Sequence, residues 1–328
     1  MVQMIKNIFI TGALGLVGKE LIKSLLKEEK FNLLCIDLKK QVFRNQKFIK
    51  KNKKKNLRFI ECDILDKDKI LNITKDQDCI VHLAAMLGVE NTEKNIKKCW
   101  DINVQGVQNV IDACNKNKIK KIIFSSSSEV YGEAKKGYID EQQPLLGRNI
   151  YACSKIAGEN IILNNQVKNK KINYTIFRLF NTYGQGQVAQ FFIPKICKLH
   201  RENKKIIING KGNQIRGYSY ASDIAKGIKL SILKNISKNK IYNIGNTSEA
   251  YSLLDVLKKL NKIKNFDKNN ILYKRNFKNT DRIENREIFK RICNTKKIKK
   301  ELGFITKIKL IDGLKMTICR KNKIYNNW

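Results

Sequence analysis

The stretch Thr11-Gly12-Ala13-Leu14-Gly15-Leu16-Val17-Gly18 decides the fold of this chain. It follows the apolar run Ile8-Phe9-Ile10, which predicts a buried strand, and precedes a segment whose apolar residues recur at helical spacing. The three glycines therefore lie on a turn from a strand into a helix. Gly12 allows the tight turn, Gly15 lets a ligand approach the backbone, and Gly18 lets the helix pack closely on the strand.

The start of that helix is predicted to bind phosphate. Free backbone N–H groups and the positive end of the helix dipole favour a pyrophosphate there. The next apolar strand, Asn32-Leu33-Leu34-Cys35-Ile36, is followed by Asp37, 25 residues after Gly12. A carboxylate at that place can accept hydrogen bonds from both hydroxyls of an adenosine ribose. We therefore predict a dinucleotide-binding site formed by the backbone at Leu16 and Val17 together with Asp37.

Two more predicted strands, at 57–62 and 79–85, end in residues that suit the same ligand. An acidic side chain after the first could reach an adenine amino group. Small side chains at the end of the second would let the backbone pass close to the ligand. The predicted contacts at these two strand ends are Asp63, Ile64, Leu83, Ala84 and Ala85.

The alternation of strands and helices predicts an α/β fold, a doubly wound parallel sheet with helices on both faces. A strand at 119–124 leads into four serines, and strands at 172–180 and 241–244 extend the sheet. Because the second half is less regular, we expect a smaller, discontinuous C-terminal substrate lobe. The larger domain comprises residues 1–180 with about 217–248, and the lobe comprises about 181–216 with 249–328.

Composition limits the classes of function. The formal net charge of +38 would suit a nucleic-acid-binding protein. Lysine, asparagine and isoleucine are abundant throughout, however, and the basic run at 50–55 lacks an aromatic platform beside it, which favours a solvated loop over a nucleic-acid site. Nine scattered cysteines without a C-x-x-C pair indicate reduced thiols in a cytoplasmic protein. The sequence also predicts no signal peptide, no membrane span and no metal site.

Tyr151 and Lys155 carry the predicted chemistry. They are four residues apart in a segment of helical spacing, so their side chains share a helix face. A neighbouring ammonium and a positive nicotinamide would favour the phenolate, which makes Tyr151 a candidate base. Ser127, in the serine run, could orient a substrate hydroxyl toward Tyr151. Glu129 beside it is a candidate acid or base, or a structural hydrogen-bond partner.

Together these motifs resemble the extended short-chain dehydrogenase/reductase family, and within it the NAD-dependent nucleotide-sugar epimerases, dehydratases and decarboxylases. The resemblance implies a Rossmann fold, an NAD cofactor that Asn103 and Lys155 also contact, and a nucleotide sugar as substrate, with a UDP-sugar as the first candidate. The motifs that carry the resemblance are Gly12-x-x-Gly15-x-x-Gly18, His82-Leu83-Ala84-Ala85, Asn103, the 127–132 stretch and Tyr151-x-x-x-Lys155.

The same resemblance implies a set of substrate contacts. Asn181, in the 178–187 segment, would lie on the substrate phosphates. Arg216 lies in the segment that resembles the family's arginine-containing substrate segment, and Arg291 occupies the place of a second nucleotide-contacting arginine. Ser128 is expected beside the sugar.

Departures from the family pattern leave the subclass open. Gln185 replaces a usual proline, and Ser128 stands where the glucose-type 4,6-dehydratases carry an aspartate. Glu129 followed later by Arg216-Gly217-Tyr218 resembles the UDP-glucuronate decarboxylases, whose arginine binds the sugar carboxylate. We take a 4-epimerase as the first interpretation, with UDP-glucuronate decarboxylase and NDP-sugar 4,6-dehydratase as alternatives. An alternative of another class is a family relative without catalytic activity that senses the cofactor or binds RNA. The intact catalytic residues argue against this alternative.

The resemblance also implies an assembly. Family members often dimerise through two helices, which correspond here to residues 93–116 and 151–164. Both segments are expected to be helical, and their apolar faces would meet those of a second copy in a four-helix bundle. We therefore expect a homodimer.

Overall fold

The computed structural model describes residues 5–133, 137–169, 171–265, 270–274 and 288–318. Parallel strands form its centre. The strands of the described part are, in chain order, β1 (Asn7–Thr11), β2 (Asn32–Asp37), β3 (Leu57–Glu61), β4 (Cys79–His82), β5 (Lys121–Ser127), β6 (Asn173–Leu179), β7 (Thr182–Tyr183), β8 (Ile206–Asn209), β9 (Ile215–Gly217), β10 (Ser219–Tyr220), β11 (Lys240–Ile244), β12 (Ala250–Ser252), β13 (Ile271–Lys274) and β14 (Lys290–Arg291).

Helices pack on these strands. Within the described ranges, no helix is long and apolar enough to cross a bilayer. The α-helices are, in chain order, α1 (Leu16–Leu25), α2 (Lys39–Arg44), α3 (Gln46–Lys51), α4 (Lys67–Ile73), α5 (Val89–Lys94), α6 (Ile96–Trp100), α7 (Gly106–Lys116), α8 (Ile150–Asn169), α9 (Phe192–Arg201), α10 (Ala221–Leu233), α11 (Leu253–Ile263), α12 (Lys296–Leu302) and α13 (Leu310–Ile318).

The central sheet has seven strands in the order β11-β6-β5-β4-β1-β2-β3, and all neighbours are parallel. The chain runs from β1 outward to β3, then returns to β4 and runs to the other edge. The strand order therefore reverses between β1 and β4, where Phe9 pairs with both Leu34 and Ile80. In such sheets ligands bind at the carboxyl ends of the strands beside this reversal. The predicted doubly wound sheet and the return of residues 241–244 to it are confirmed.

Three large apolar clusters divide the described part. One covers a face of the sheet with α1 and α10, and another covers the opposite face with α7 and α8. A third is formed by β8, α9, α11 and α13, away from the sheet, where the sequence predicts the substrate lobe. Ile298 and Leu302 of α12 pack in the first cluster instead, although their segment is predicted to belong to the lobe. The domain boundaries themselves stay a prediction.

The segment at 93–116 is less regular than predicted. It contains the end of α5, then α6, a π-helical turn at Asp101–Gln105 and α7. The side chain of Asn103, in the π-helical turn, bonds to the backbone of Met86 in the loop after β4. We attribute the irregular turn to this tertiary contact, which helical periodicity cannot reveal. The basic run at 50–55 also differs, because Lys50 and Lys51 end α3 rather than lying in a loop.

Candidate active site

The glycine turn has the backbone geometry that its sequence predicts. Gly12 has φ of +63°, and a Cβ there would lie 2.7 Å from the amide nitrogen of Ala84. A Cβ on Gly18 would lie 2.5 Å from the carbonyl oxygen of Ala13. Both distances are shorter than real Cβ contacts. Gly12 therefore brings the ends of β1 and β4 together, and Gly18 brings α1 against the turn.

The start of α1 and the end of β2 meet at this turn. The first N–H groups of any α-helix have no partner within the helix. Gly15, which precedes α1, has no side chain that could cap them. Asp37 accepts hydrogen bonds from Leu14 N at 2.8 Å and from Leu38 N at 2.9 Å. Burial raises the pKa of Asp37, and these two hydrogen bonds oppose that rise. The arrangement places the first N–H groups of α1 and the carboxylate of Asp37 beside one turn, at the carboxyl ends of the neighbouring strands β1 and β2.

Asp63 and Ile64 have different environments at the end of β3. The side chain of Asp63 is exposed and accepts a hydrogen bond from Leu65 N at 3.0 Å. Ile64 is buried, and its side chain fills the space above Gly106 in α7. The carboxylate of Asp63 is thus open to a ligand, whereas the side chain of Ile64 belongs to the core.

The loop after β4 is held from two sides. Ala84 N donates to Thr11 Oγ1 at 3.2 Å. Asn103 Oδ1 accepts from Met86 N at 2.7 Å, and its Nδ2 donates to Ser154 Oγ at 3.0 Å. Asn103 thereby connects the loop that contains Leu83, Ala84 and Ala85 to α8. Direct contact between Asn103 and a cofactor stays a prediction.

Tyr151 and Lys155 both reach the carboxyl-terminal part of β5, which contains Ser125 and Ser127. The Tyr151 hydroxyl is hydrogen-bonded to Ser127, and burial raises the pKa of Tyr151 above its usual value. Lys155 Nζ donates to Ser125 O at 2.8 Å and lies 4.7 Å from the centroid of the Phe124 ring. Burial lowers the pKa of Lys155 to about 8. The phenol is therefore protonated at neutral pH in the chain alone and needs added positive charge to act as a base.

Glu129 is paired with Arg291, an arrangement that sequence analysis missed. Glu129 Oε1 lies 2.7 Å from Arg291 Nη1, and Asn149 Nδ2 donates to Glu129 Oε2 at 3.4 Å. The Arg291 side chain is buried, and its Nε has no hydrogen-bond partner in the described part. Both charges act on Tyr151, since Glu129 raises its pKa and Arg291 lowers it, each less than burial does. No local sequence signal joins two residues on such distant segments.

Arg216 is buried among backbone carbonyls. Its Nη1 donates to Ile215 O at 2.9 Å and to Phe289 O at 3.2 Å, and its Nη2 donates to Ile288 O. The strands β9 and β14 are parallel here, with Arg216 opposite Arg291. Arg216 therefore connects these strands and places Arg291.

Unpartnered polar atoms occur in the segment that follows β6. Asn181 Oδ1 and Gln187 Oε1 are buried and have no hydrogen-bond partner in the described residues. The Gln187 amide nitrogen donates to Thr182 O at 3.1 Å, so its oxygen is left for another group. Ser128 is buried at the end of β5. Because buried polar groups are nearly always bonded, such atoms point to a polar ligand. Gln187 ends the 178–187 segment, and the sequence alone predicts no role for it.

Comparisons with known proteins agree with this geometry. Residues 8–245 match the model of the NAD dependent epimerase/dehydratase family. The dTDP-D-glucose 4,6-dehydratase of Bos taurus is 32% identical over 78% of this chain and 72% of that protein. An uncharacterized UDP-glucose epimerase of Bacillus subtilis is 31% identical over 76% of this chain and 80% of that protein. The crystal structure of UDP-glucuronic acid 4-epimerase from Bacillus cereus, with UDP-glucuronic acid and NAD, gives a TM-score of 0.84 at 27% identity, covering 95% of this chain and 98% of that one.

Proposed function

Because this chain belongs to the NAD dependent epimerase/dehydratase family, and is therefore an NAD-dependent enzyme, we propose that it is a 4-epimerase of a UDP-sugar. It would oxidise the sugar transiently at C4 and reduce the 4-keto intermediate from the other face. The observation that carries this proposal is the Tyr151 hydroxyl bonded to Ser127 at the carboxyl end of β5, with the buried Lys155 ammonium bonded to Ser125 O of the same strand.

The residues at the strand ends fit NAD. The close approach at Gly12 and Gly18 leaves the start of α1 open to a pyrophosphate, and we assign the free N–H groups there to it. Asp37 would accept from the adenosine ribose, and Asp63 would face the adenine. Lys155 would hold the nicotinamide ribose. When bound, NAD supplies the hydride acceptor and donor.

In this proposal Tyr151 removes the proton from the C4 hydroxyl while Ser127 holds that hydroxyl in place. Burial opposes the phenolate, as the raised pKa of Tyr151 shows. The hydrogen bond of Ser127 and the charge of Arg291 favour the phenolate, and we assign further support to the ammonium of Lys155, whose pKa of about 8 keeps it charged at neutral pH. In this proposal the charge of Lys155, together with Ser127 and Arg291, makes Tyr151 usable as a base.

We assign the nucleotide and sugar to the wall formed by Ser128, Asn181 and Gln187. The unpartnered oxygens of Asn181 and Gln187 support this assignment, since each can accept a hydrogen bond from a sugar or base. Arg216 already donates to three carbonyl oxygens. We therefore propose that it serves substrate binding by holding β14, which places Arg291.

A second candidate function is decarboxylation of a uronic acid or loss of water from the 4-keto sugar. The ion pair of Glu129 with Arg291 favours it, because a 4-epimerase of a neutral sugar needs no further acid or base beside Tyr151. Glu129 could move a proton at the carbon next to the ketone. Arg291, with an unpartnered Nε, could hold a carboxylate of the sugar.

One experiment separates these outcomes. The purified chain is incubated with NAD and a panel of UDP-, dTDP- and GDP-sugars, including UDP-glucuronic acid, and the products are resolved by liquid chromatography and mass spectrometry. A new peak of unchanged mass supports 4-epimerisation. Loss of carbon dioxide or of water supports the second candidate instead. No product from any sugar, with NAD bound, would contradict both.

We also propose a homodimer located in the cytoplasm. Ile96 and Trp100 are 52% and 44% exposed on α6, which packs beside α8, the helix that carries Tyr151. An apolar pair exposed at this place supports an interface with a second copy. The cysteines of the described part are free thiols, which suits a reducing compartment.

A further inference from the structure

Three side chains of α8 are bonded to three consecutive serines at the end of β5. Each of the three follows the last by four residues, so they lie along one side of the helix. In chain order they are Tyr151, Lys155 and Glu159. The first is hydrogen-bonded to Ser127, the second donates from Nζ to Ser125 O at 2.8 Å, and the third accepts from Ser126 Oγ at 2.5 Å. The proposed reaction uses the first two side chains and leaves the third without a role.

The carboxylate of Glu159 is held by β6 as well as by β5. Arg178 of β6 lies opposite Ser126 in the register of the two strands. Its Nε donates to Glu159 Oε1 at 3.0 Å, and its Nη2 donates to Glu159 Oε2 at 2.7 Å. The side chains of Arg178 and Glu159 are only 5% and 1% exposed. A paired contact of this kind fixes the carboxylate, so Ser126 is bonded to an oxygen whose position is set.

The end of β5 depends on such a contact, because it has support from few neighbours. His82 is the last residue of β4 and pairs with Phe124. Beyond that pair, the range 125–127 is paired with β6 alone among the described strands. The contacts with α8 therefore contribute to holding this part of the strand. Ser126 is the middle residue of the range, so a displacement of Ser126 also moves the residues on either side.

We propose that Glu159 is a positioning residue for the proposed reaction. By holding Ser126, it keeps the Ser127 hydroxyl against the Tyr151 hydroxyl. The inference rests on the proposed function, in which Tyr151 is the base. A misplacement of about 1 Å at a reacting group can cost roughly 10² in rate, so a contact one residue away from Ser127 has a measurable effect.

The test removes the Ser126 hydroxyl, because replacement of Glu159 would leave the buried charge of Arg178 unpaired. Ser126→Ala deletes the contact with Glu159, and Ser126→Thr keeps a hydroxyl to make it. The matched control is Ser231→Ala. Ser231 is a fully buried serine of α10, on the opposite face of the sheet from α8, and its Oγ donates to Ile228 O at 2.7 Å.

Two properties are measured for the wild type and the three variants. The first is kcat and KM on the best sugar of the panel. The second is the pH titration of tyrosinate absorbance in the NAD-bound protein, where the signal of Tyr151 is the part that Tyr151→Phe lacks. This second measurement needs no sugar. The other groups that act electrostatically on Tyr151 are unchanged in all three variants, and they are Glu129, Cys99 and Arg291.

We expect Ser126→Ala to lower kcat about tenfold or more and to leave KM within about threefold. The apparent pKa of Tyr151 should rise by about one pH unit, because the hydrogen bond of Ser127 to the phenolate is weakened. Ser126→Thr and Ser231→Ala should keep the wild-type titration and a kcat within about twofold of wild type.

A Ser126→Ala variant with normal kcat and a normal Tyr151 titration would overturn the proposal, since pairing with β6 would then be enough to hold Ser127. Equal losses in Ser126→Ala and Ser126→Thr would also overturn it, because the hydroxyl would not be the cause. A wild type that turns over no sugar would overturn the proposed function, and the tyrosinate titration would then decide the role of Glu159 by itself.

Discussion

At the scale of single residues, Tyr151 illustrates how burial and charge act against each other. Burial raises its pKa, while the hydrogen bond from Ser127 and the charge of Arg291 lower it. Lys155 meets the same conflict, because burial lowers its pKa to about 8 while Cys99 and Glu159 oppose that shift. The phenol and the ammonium are thus both held in environments that disfavour their charged forms, a feature typical of functional sites.

We expect Tyr151→Phe to remove most of the turnover. Phenylalanine keeps the ring but has no proton to exchange, and a positioned base contributes about 10²–10⁴ in rate. The kcat on the best sugar of the panel should fall by that factor, with NADH binding within about twofold of wild type. Near-normal turnover of this variant would remove Tyr151 as the base.

His82 gives a residue-scale prediction for stability in acid. It is fully buried, its Nδ1 lies 2.7 Å from Thr11 Oγ1, and burial lowers its pKa to about 3 from 6.5. Between those values the unfolded chain binds a proton that the folded chain does not, so stability falls as pH drops from 6.5 toward 3. In urea unfolding, the free energy of unfolding of the wild type should fall by up to about 1.4 kcal/mol more per unit decrease in pH than that of His82→Gln. If the free energies of unfolding of the two proteins fell equally with pH, His82 would not be held neutral in the folded chain.

At the scale of elements, α1 and the glycine turn act as one unit. Gly12, Gly15 and Gly18 have different tasks, because two of them have no room for a Cβ while Gly15 has an ordinary φ and a nearest contact of 3.1 Å. The outer two glycines set the packing of α1 on β1 and β4. Gly15 leaves space at the start of the helix.

Alanine at Gly18 should therefore lower the stability of the fold, whereas alanine at Gly15 should mainly weaken the binding of NADH. Gly18→Ala puts a Cβ against two backbone carbonyl oxygens and should destabilise the fold by about 1–3 kcal/mol in urea unfolding. Gly15→Ala should change stability by less than about 1 kcal/mol yet weaken NADH binding several-fold. A Gly15→Ala variant with normal NADH affinity would show that the pyrophosphate does not approach there.

At the scale of the whole molecule, the sheet joins distant segments into one site. The carboxyl ends of its strands bring the glycine turn, Asp37 and the serine run to one edge. The substrate segments then add Arg291 against Glu129. Because α6 packs on α8, and α8 packs on β5 and β6, a second copy packed on α6 and α8 would stiffen the helix that carries Tyr151.

The proposed dimer has a direct test. Ile96 and Trp100 are four residues apart, so one face of α6 presents both. The double variant Ile96→Glu with Trp100→Glu should shift the mass measured by light scattering at micromolar concentration from a dimer to a monomer. Phe43→Glu, a change at an 80% exposed position on α2, serves as the control and should keep the dimer. A monomeric wild type would contradict the proposal.

The sequence by itself determined the fold and named the candidate catalytic residues. A glycine turn between a strand and a helix has few structural solutions, and the alternation after it dictates a parallel doubly wound sheet. The spacing of Tyr151 and Lys155 places both on one helix face, and β5 then brings Ser127 to them. These features are local, so periodicity and spacing reveal them.

Only the tertiary structure decided how distant side chains are used. Glu129 and Arg291 form an ion pair across segments that no local pattern connects. Arg216 is bonded to carbonyl oxygens because β14 lies beside β9, and Asn103, in the π-helical turn, is bonded to the backbone of Met86 in the loop after β4. The burial of such side chains and their hydrogen-bond and ion-pair partners, rather than residue type alone, decide their chemical roles. Burial and partners are both established only when the chain has folded.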